Sequence, residues 1–326
     1  MFLGIDTSNY TTSMAVIDKD RKRILDKRIV LPVPKDQKGL QQSTALFYHV
    51  KNLPILCKEC FIEVDRKKIQ SIAVSDRPRP DTASYMPVFL AGVSVAESIS
   101  YALGIPCLKT THQEGHLIAG LWSAGLEAAE RVIGAHLSGG TMEIFYAEKK
   151  QEHPICFEIV PIGRSLDISA GQLIDRIGIR LGLPFPCGAH MEKIAAKCDQ
   201  QGKIPIVFEN KNSIPSAVKD CDVSFSGAET RAIEMLRKGL PGEIVARELE
   251  KCIAKSLEKI LKRAIGQTMI KDVLFMGGVA ANKYIRDRLS IKLGHPSIGA
   301  RLIFPEIEHC SDNAVGVGLI AHSMIY

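Results

Sequence analysis

Strand, tight turn, strand opens this chain twice. FLGID (2–6) passes through TSNYTTS into MAVID (14–18), and VIGAHL (132–137) passes through SGG into TMEIFYAEKK (141–150). After each opening, short apolar runs alternate with stretches of helical period. That repetition predicts an α/β protein of two similar lobes with a cleft between them. The length of 326 residues fits two domains, the second beginning near Arg131.

In the first half, RILDKRIVLPV reads as a further strand. Residues 41–64 read as a helix that Pro54 threatens to interrupt. SIAVS (71–75) reads as a short buried strand, and 88–103 as a helix stopped by Gly104-Ile105-Pro106. In the second half, helices are expected over 170–181, 190–198, 228–238 and 242–266. KDVLFMGGVAANKYIRDRL reads as strand, glycine turn, helix, and a last helix is expected over 311–326.

Composition narrows the function classes. Lys+Arg 42 against Asp+Glu 36 gives a net charge of +6, which permits RNA or nucleotide partners without demanding them. Aromatics at 6% argue against a broad base-stacking platform. No apolar run reaches the ~18 residues of a membrane span, and MFLGIDTS reads as a first strand rather than a signal peptide. Nine scattered cysteines fit a reducing cytosol, and Cys57-x-x-Cys60 has no second pair at zinc-ribbon spacing.

THQEGH (111–116) puts His112 and His116 four apart, on one face of a helix. They are either two metal ligands or two polar residues at a helix start. Gln-Glu-Gly between them excludes the HExxH pattern of zinc proteases. SDNAVG offers Asp312 as a third ligand, and two histidines with one carboxylate suit iron or zinc. GIDTSNYTTS, HLSGGT and MGGVAAN each place small or hydroxyl residues after a strand, where free backbone N–H groups and Ser8, Thr11 or Ser138 can meet phosphate. Ordinary hairpins use such glycines too. No Walker A or Rossmann fingerprint is present. Asp175 is either a ribose contact or part of a solvated helix face. DRPRPD holds Arg77 and Arg79 in a proline-stiffened loop, as an anion contact or as plain basic surface. No local signature marks a nucleophile.

In order along nearly the whole chain, these motifs resemble the TsaD family, the bacterial threonylcarbamoyl-adenosine synthase subunit formerly called glycoprotease or O-sialoglycoprotein endopeptidase. LGIDTS resembles its first strand and phosphate turn. THQEGH resembles HxEGH, HLSGGT resembles SGGHT, SAGQLIDRIGIRLGLPFPCG resembles AAGEAFDK…LGLPYPGG, VSFSGAET resembles FSFSGLKT, and GGVAAN and CSDNAVG resemble GGVAAN and CTDNA. The resemblance implies an actin-like, sugar-kinase-like (ASKHA) fold. Its first lobe would cover 1–130, closed by the helix 311–326, and its second 131–310, with a helical insertion. It also implies a divalent metal, iron or zinc, on His112, His116 and Asp312. ATP or an adenylate would be held by Leu137, Ser138, Gly139 and Gly140, with Asp175, Gly188 and Asn282. The family's reaction moves a threonylcarbamoyl group from its adenylate to N6 of an adenine in tRNA, in the cytoplasm, beside small partners such as TsaB and TsaE. No residue beyond the metal set is expected to be catalytic.

The departures are specific. The glutamate of TSCDET is Thr11, the histidine of SGGHT is Thr141, Ile168 and Gln172 replace acidic residues of DDAAGE, and the lysine of SGLKT is Glu229. They imply a divergent relative. The reading carried forward is a metal-dependent threonylcarbamoyl or carbamoyl transferase acting on tRNA or a related acceptor. Its alternatives are a TsaB-like nucleotide-binding scaffold and, last, a metalloprotease.

Overall fold

The computed structural model describes residues 1–8, 10–33, 40–81, 84–150, 156–200 and 213–326. The chain divides into two compact units. One comprises Met1–Glu130, Glu148–Ile159 and Ser311–Tyr326, the other Arg131–Ala147 and Val160–Cys310.

The first unit runs β1 (Phe2–Thr7), β2 (Thr11–Ile17), β3 (Arg23–Val30), α1 (Gln42–Glu63), β4 (Ser71–Arg77), α2 (Phe89–Leu103), β5 (Cys107–Thr111) and α3 (His112–Ser123). Its sheet has the order β3–β2–β1–β4–β5. β1–β2 and β2–β3 are antiparallel, while β1–β4 and β4–β5 are parallel. Every residue of β1 and β2 is buried, as expected of strands covered on both faces. Pro54 does not break α1, which runs through it. Its missing N–H would have bonded the Val50 carbonyl, and both residues are exposed, so water can serve that oxygen. The opposite face, with Leu53, Leu56 and Cys60, is locked into the core.

The second unit runs β6 (Arg131–Leu137), β7 (Met142–Lys149), β8 (Phe157–Arg164), α4 (Ala170–Arg180), α5 (Gly188–Gln200), the ribbon β9 (Ala217–Lys219) and β10 (Asp222–Ser224), α6 (Ser226–Arg237), α7 (Gly242–Thr268), β11 (Asp272–Met276), α8 (Lys283–Leu293), β12 (Arg301–Ile303) and α9 (Ile307–Cys310). Its sheet has the order β12–β11–β6–β7–β8. α7 carries the longest apolar stripe, from Val245 to Ile265, into this unit's core.

The chain then returns to the first unit as α10 (Val315–His322), shorter than the helix expected over 311–326. Asn313 accounts for the late start. Its Oδ1 accepts from Val315 N (3.0 Å) and its Nδ2 donates to the Ser311 carbonyl (2.9 Å), a local turn that competes with helix. Asp312 therefore sits in the turn before the helix rather than on it. No helix among the described residues is long and apolar enough to cross a membrane. None of the nine cysteines is in a disulfide, and burial pushes the Cys60 thiol of the Cys57–Cys60 pair up to about 12, far from a metal-ready thiolate.

Candidate metal centre

The THQEGH stretch is the start of α3, with Thr111 as its N-cap. Thr111 Oγ1 accepts from Glu114 N (3.1 Å), and Glu114 Oε2 accepts from Thr111 N (3.1 Å), a reciprocal capping box. The same Glu114 oxygen also accepts from Thr110 Oγ1 (2.9 Å). Glu114 is thus spent on starting the helix, which leaves no protease-type base in the motif. The cap fixes His112 as the first helical residue, and His116 follows one turn later on the same face.

Asp312 reaches these histidines because α10 packs on α3 and β1 at backbone distance. A β-carbon on Gly316 would collide with the Gly115 carbonyl, and one on Gly4 with the Gly318 N and the Ala314 carbonyl. Glycine at these positions permits the approach. A β-carbon on Gly115 itself would press on the Val317 side chain at 3.0 Å.

Three donor atoms converge. His112 Nε2 and His116 Nε2 lie 3.1 Å apart. Asp312 Oδ1 lies 3.6 Å from His112 Nε2 and 3.4 Å from His116 Nε2. Two of the three, His112 and Asp312, are held from behind. His112 Nδ1 lies 3.0 Å from Asp6 Oδ1, and Ser8 Oγ donates to Asp312 Oδ2 at 2.8 Å. Asp6 is fully buried at the end of β1. Sequence reasoning missed it because LGID reads as an ordinary strand. A carboxylate behind a histidine fixes the tautomer, so Nδ1–H donates to Asp6 and Nε2 presents its lone pair.

The electrostatics agree. Burial works against charge on His112, but the carboxylates of Asp6 and Asp312 outweigh it and lift the imidazole to about 10. Burial and the neighbouring His112 charge push His116 down. Asp312 stays well below the usual carboxylate range despite burial, held by its bonds to both histidines. Asp6 is lowered as well, burial being overcome by His112 and, less, by Ser75. The two Nε2 atoms at 3.1 Å stand at hydrogen-bond distance, so one hydrogen lies between the rings, and the carboxylates of Asp6 and Asp312 favour His112 as the ring that carries the charge.

A metal fits this arrangement. Ligands at about 2.0–2.1 Å from a tetrahedral ion stand about 3.3–3.4 Å apart, and the observed edges of 3.1, 3.4 and 3.6 Å bracket that value. Two histidines and one carboxylate on one side of an ion leave positions open for a substrate. Among the described residues, Glu306, Glu308 and His309 form another close group, mostly exposed.

The residues expected to hold an adenylate belong to the second unit, and most of their side chains are occupied there. Leu137 ends β6, buried. Ser138 closes the turn to Thr141: its N donates to the Thr141 carbonyl (2.8 Å), and its Oγ accepts from Thr141 N (2.9 Å). Gly139 and Gly140 are exposed at the tip, and a β-carbon on either would meet nothing, so the outer side of the turn is open. The N-cap of α4 backs the turn, Ser169 Oγ donating to the Gly139 carbonyl (2.8 Å). Asp175 is not a solvated face: its Oδ1 accepts from Cys187 N (2.8 Å), and burial raises its carboxyl. Gly188 stands exposed at the start of α5.

Asn282 caps α8, its Oδ1 accepting from Ile285 N (3.0 Å) and its Nδ2 donating to Glu250 Oε1 (2.7 Å). Glu250 in turn accepts from Arg247 Nη1 at 2.5 Å, both on the buried side of α7. In the first unit Thr11 is buried in β2, opposite Val30 of β3. Arg77 pairs with Asp76 (3.0 Å), and the DRPRPD loop meets α3 where Gln113 N donates to the Pro78 carbonyl (3.0 Å). Arg79, on the same loop, is partly exposed.

Residues 33–319 match the family described as TsaD, tRNA N6-adenosine threonylcarbamoyltransferase. The chain belongs to the TsaD family. It is similar to the tRNA N6-adenosine threonylcarbamoyltransferase of Bacillus licheniformis, 30% identical over 96% of this chain and 88% of that protein. It is likewise similar to that of Mycoplasmopsis synoviae, 28% identical over 99% of this chain and 97% of that protein. In structure it is similar to component A of the Acidaminococcus fermentans (R)-2-hydroxyglutaryl-CoA dehydratase, with TM-score 0.56 and 14% identity over 98% and 97% of the two chains. The fold is the actin-like (ASKHA) α/β fold, and the family is one of acyl transferases. Against the TsaD pattern, the reversed charge at Glu229 is not bare: its Oε2 accepts from Arg176 Nη1 at 2.9 Å. The lysine-to-glutamate change therefore leaves an ion pair within the unit rather than an isolated repulsive carboxylate.

Proposed function

We propose that this chain transfers a threonylcarbamoyl group from an adenylate to N6 of an adenine in tRNA, with one iron or zinc on His112, His116 and Asp312. The observation that carries this is the triangle of donors backed by Asp6 and Ser8, in a chain of the TsaD family. When bound, the metal supplies Lewis acidity to the adenylate's carbonyl or phosphate oxygen. The residues do the rest. Asp6 keeps His112 in the tautomer that presents Nε2, and Ser8 keeps Asp312 turned toward the histidines. Gly139 and Gly140 offer exposed backbone to the nucleotide, and Asp175 and Gly188 are its further expected contacts. In the transfer, the N6–carbon bond forms and the carbon–oxygen bond to the adenylyl phosphate breaks. AMP leaves with the electron pair, and N6 gives its proton to water. A tRNA amine as nucleophile agrees with the lack of a protein nucleophile signature. The reading places the chain in the cytoplasm with tRNA and small proteins of the TsaB and TsaE kind.

The test supplies the purified chain and its partners with the threonylcarbamoyl adenylate and tRNA, and reads AMP release and adenosine modification by mass spectrometry. Wild type is expected to modify tRNA and His116→Ala to lose that activity. Nucleotide binding without AMP release by any acceptor mixture would favour the scaffold reading, for which the second unit's occupied side chains speak.

A further inference from the structure

The tip of the turn between β6 and β7 is a peptide flanked by two glycines. Ser138 N donates to the Thr141 carbonyl (2.8 Å) and Thr141 N to Ser138 Oγ (2.9 Å), which closes the base of the turn. Neither bond holds the Gly139–Gly140 peptide. With no side chain on either residue to confine φ and ψ, that peptide has little resistance to turning over. Among the described residues one bond holds it, from Ser169 Oγ to the Gly139 carbonyl at 2.8 Å. Its direction is fixed. A carbonyl only accepts, so the hydroxyl hydrogen goes to Gly139, and the same oxygen accepts from Gln172 N at 3.0 Å. Ser169 is only 3% exposed, so water competes little for the hydroxyl. The first turn of α4 presses on the same place, since a β-carbon on Gly171 would collide with the Ser138 carbonyl and Gly139 Cα. In a trans peptide the C=O and the N–H point opposite ways. With the Gly139 oxygen turned onto α4, the Gly140 N–H is directed away from α4. That N–H bonds none of the described residues, and the outer side of the turn is open.

We propose that Ser169 is a positioning residue whose hydroxyl, by holding the Gly139 carbonyl, aims the Gly140 N–H at a phosphate oxygen of the bound adenine nucleotide. Ser169 acts only through the peptide, and all the residues concerned belong to the second unit. A backbone N–H pointed at solvent is a ready donor for a phosphate oxygen. Without the hydroxyl the peptide is free to turn, and a carbonyl oxygen can then face the phosphate where the N–H did, which repels it. The inference rests on reading the glycine turn as part of the nucleotide site.

The test measures binding of ATP and of adenosine to the full chain by calorimetry. Ser169→Ala removes the donor and is expected to weaken ATP binding about tenfold, the order lost with one hydrogen bond to a charged group. Ser169→Gly removes the same donor but leaves a residue that helices accept at the N-cap, and it is expected to match Ser169→Ala. A loss in the alanine variant alone would assign the effect to the helix cap and overturn the proposal. Ser169→Thr keeps the hydroxyl and is expected to bind ATP within about twofold of wild type. Adenosine carries no phosphate, so its affinity is expected to stay within about twofold across all four proteins. An equal loss for adenosine and ATP would mark general damage to the site and overturn the proposal, as would unchanged ATP affinity in the alanine and glycine variants. Wild type that binds no ATP removes the nucleotide reading, and the proposal with it. Nitrogen-15 spectra of wild type give a measurement free of folding effects. The Gly140 amide resonance is expected to shift when ATP binds, and an amide that bound ATP leaves unmoved contradicts the proposal.

Discussion

The donor triangle of the first unit and the glycine turns of the second treat their polar groups in opposite ways. In the first, His112, His116 and Asp312 aim at one point, and their outer bonds to Asp6 and Ser8 serve only to aim them. In the second, Asn282, Glu250, Arg247, Asp175 and Arg176 spend their side chains on neighbours of the same unit. The first has the form of a site awaiting a cation. The second has the form of a scaffold that shapes backbone, with Gly139 and Gly140 left open for a ligand. Side-chain changes should therefore alter chemistry in the first unit and stability in the second.

The largest separation should come from Glu250→Ala. It leaves the Arg247 guanidinium in the core without that carboxylate and removes a bond from Asn282, at a cost of about 3–5 kcal/mol in denaturant unfolding. Metal content per folded chain should not change, and a loss of metal would break the comparison. Asp6→Asn tests the other side. The fold should persist while metal affinity falls about 10–100-fold, because the orientation of His112 is lost. An unchanged affinity would reduce Asp6 to a core residue.

Proton release sharpens the charge argument. His112 sits near pKa 10 without metal, so at pH 7 it holds a proton that the metal must displace. Asp312 is already ionised and His116 already neutral. Calorimetry in buffers of differing ionisation enthalpy should show about one proton released per metal. Affinity should rise about tenfold per pH unit between 7 and 9, and a flat profile would show that His112 is neutral in the free protein. The smallest effect belongs to Glu229→Lys. Loss of a partly exposed pair with Arg176 should cost less than about 1 kcal/mol. Binding of tRNA should strengthen at low salt, with the slope of log affinity against log salt steeper by about 1.

The legible parts of the molecule were those carried by local pattern. Period and turn chemistry located β1, β6, α2 and α7 to within a few residues, and the four-residue spacing put His112 and His116 on one face. The dual nature of THQEGH was harder. The cap on Thr111 and the proposed ligand face on His112 and His116 are compatible, since capping uses the backbone and Glu114 and the imidazoles take no part in it. Asp6 was invisible because only the parallel sheet and α3 bring it under His112, a contact between residues 106 positions apart. The short start of α10 was missed because Asn313 bends the chain locally. Asn282 reads as a ligand in GGVAAN, and its cap on α8 shows only once Glu250 of α7 is seen to take its amide. The same holds for Glu229, whose reversed sign matters less once Arg176 stands beside it.

The account turns on the metal. Elemental analysis of the purified wild type, His112→Ala and Asp312→Ala proteins tests it most directly. The account predicts about one iron or zinc per chain in wild type and almost none in either variant, with all three folded. Wild type without metal after loading, or variants that keep it, would contradict the reading of this triangle as a metal centre.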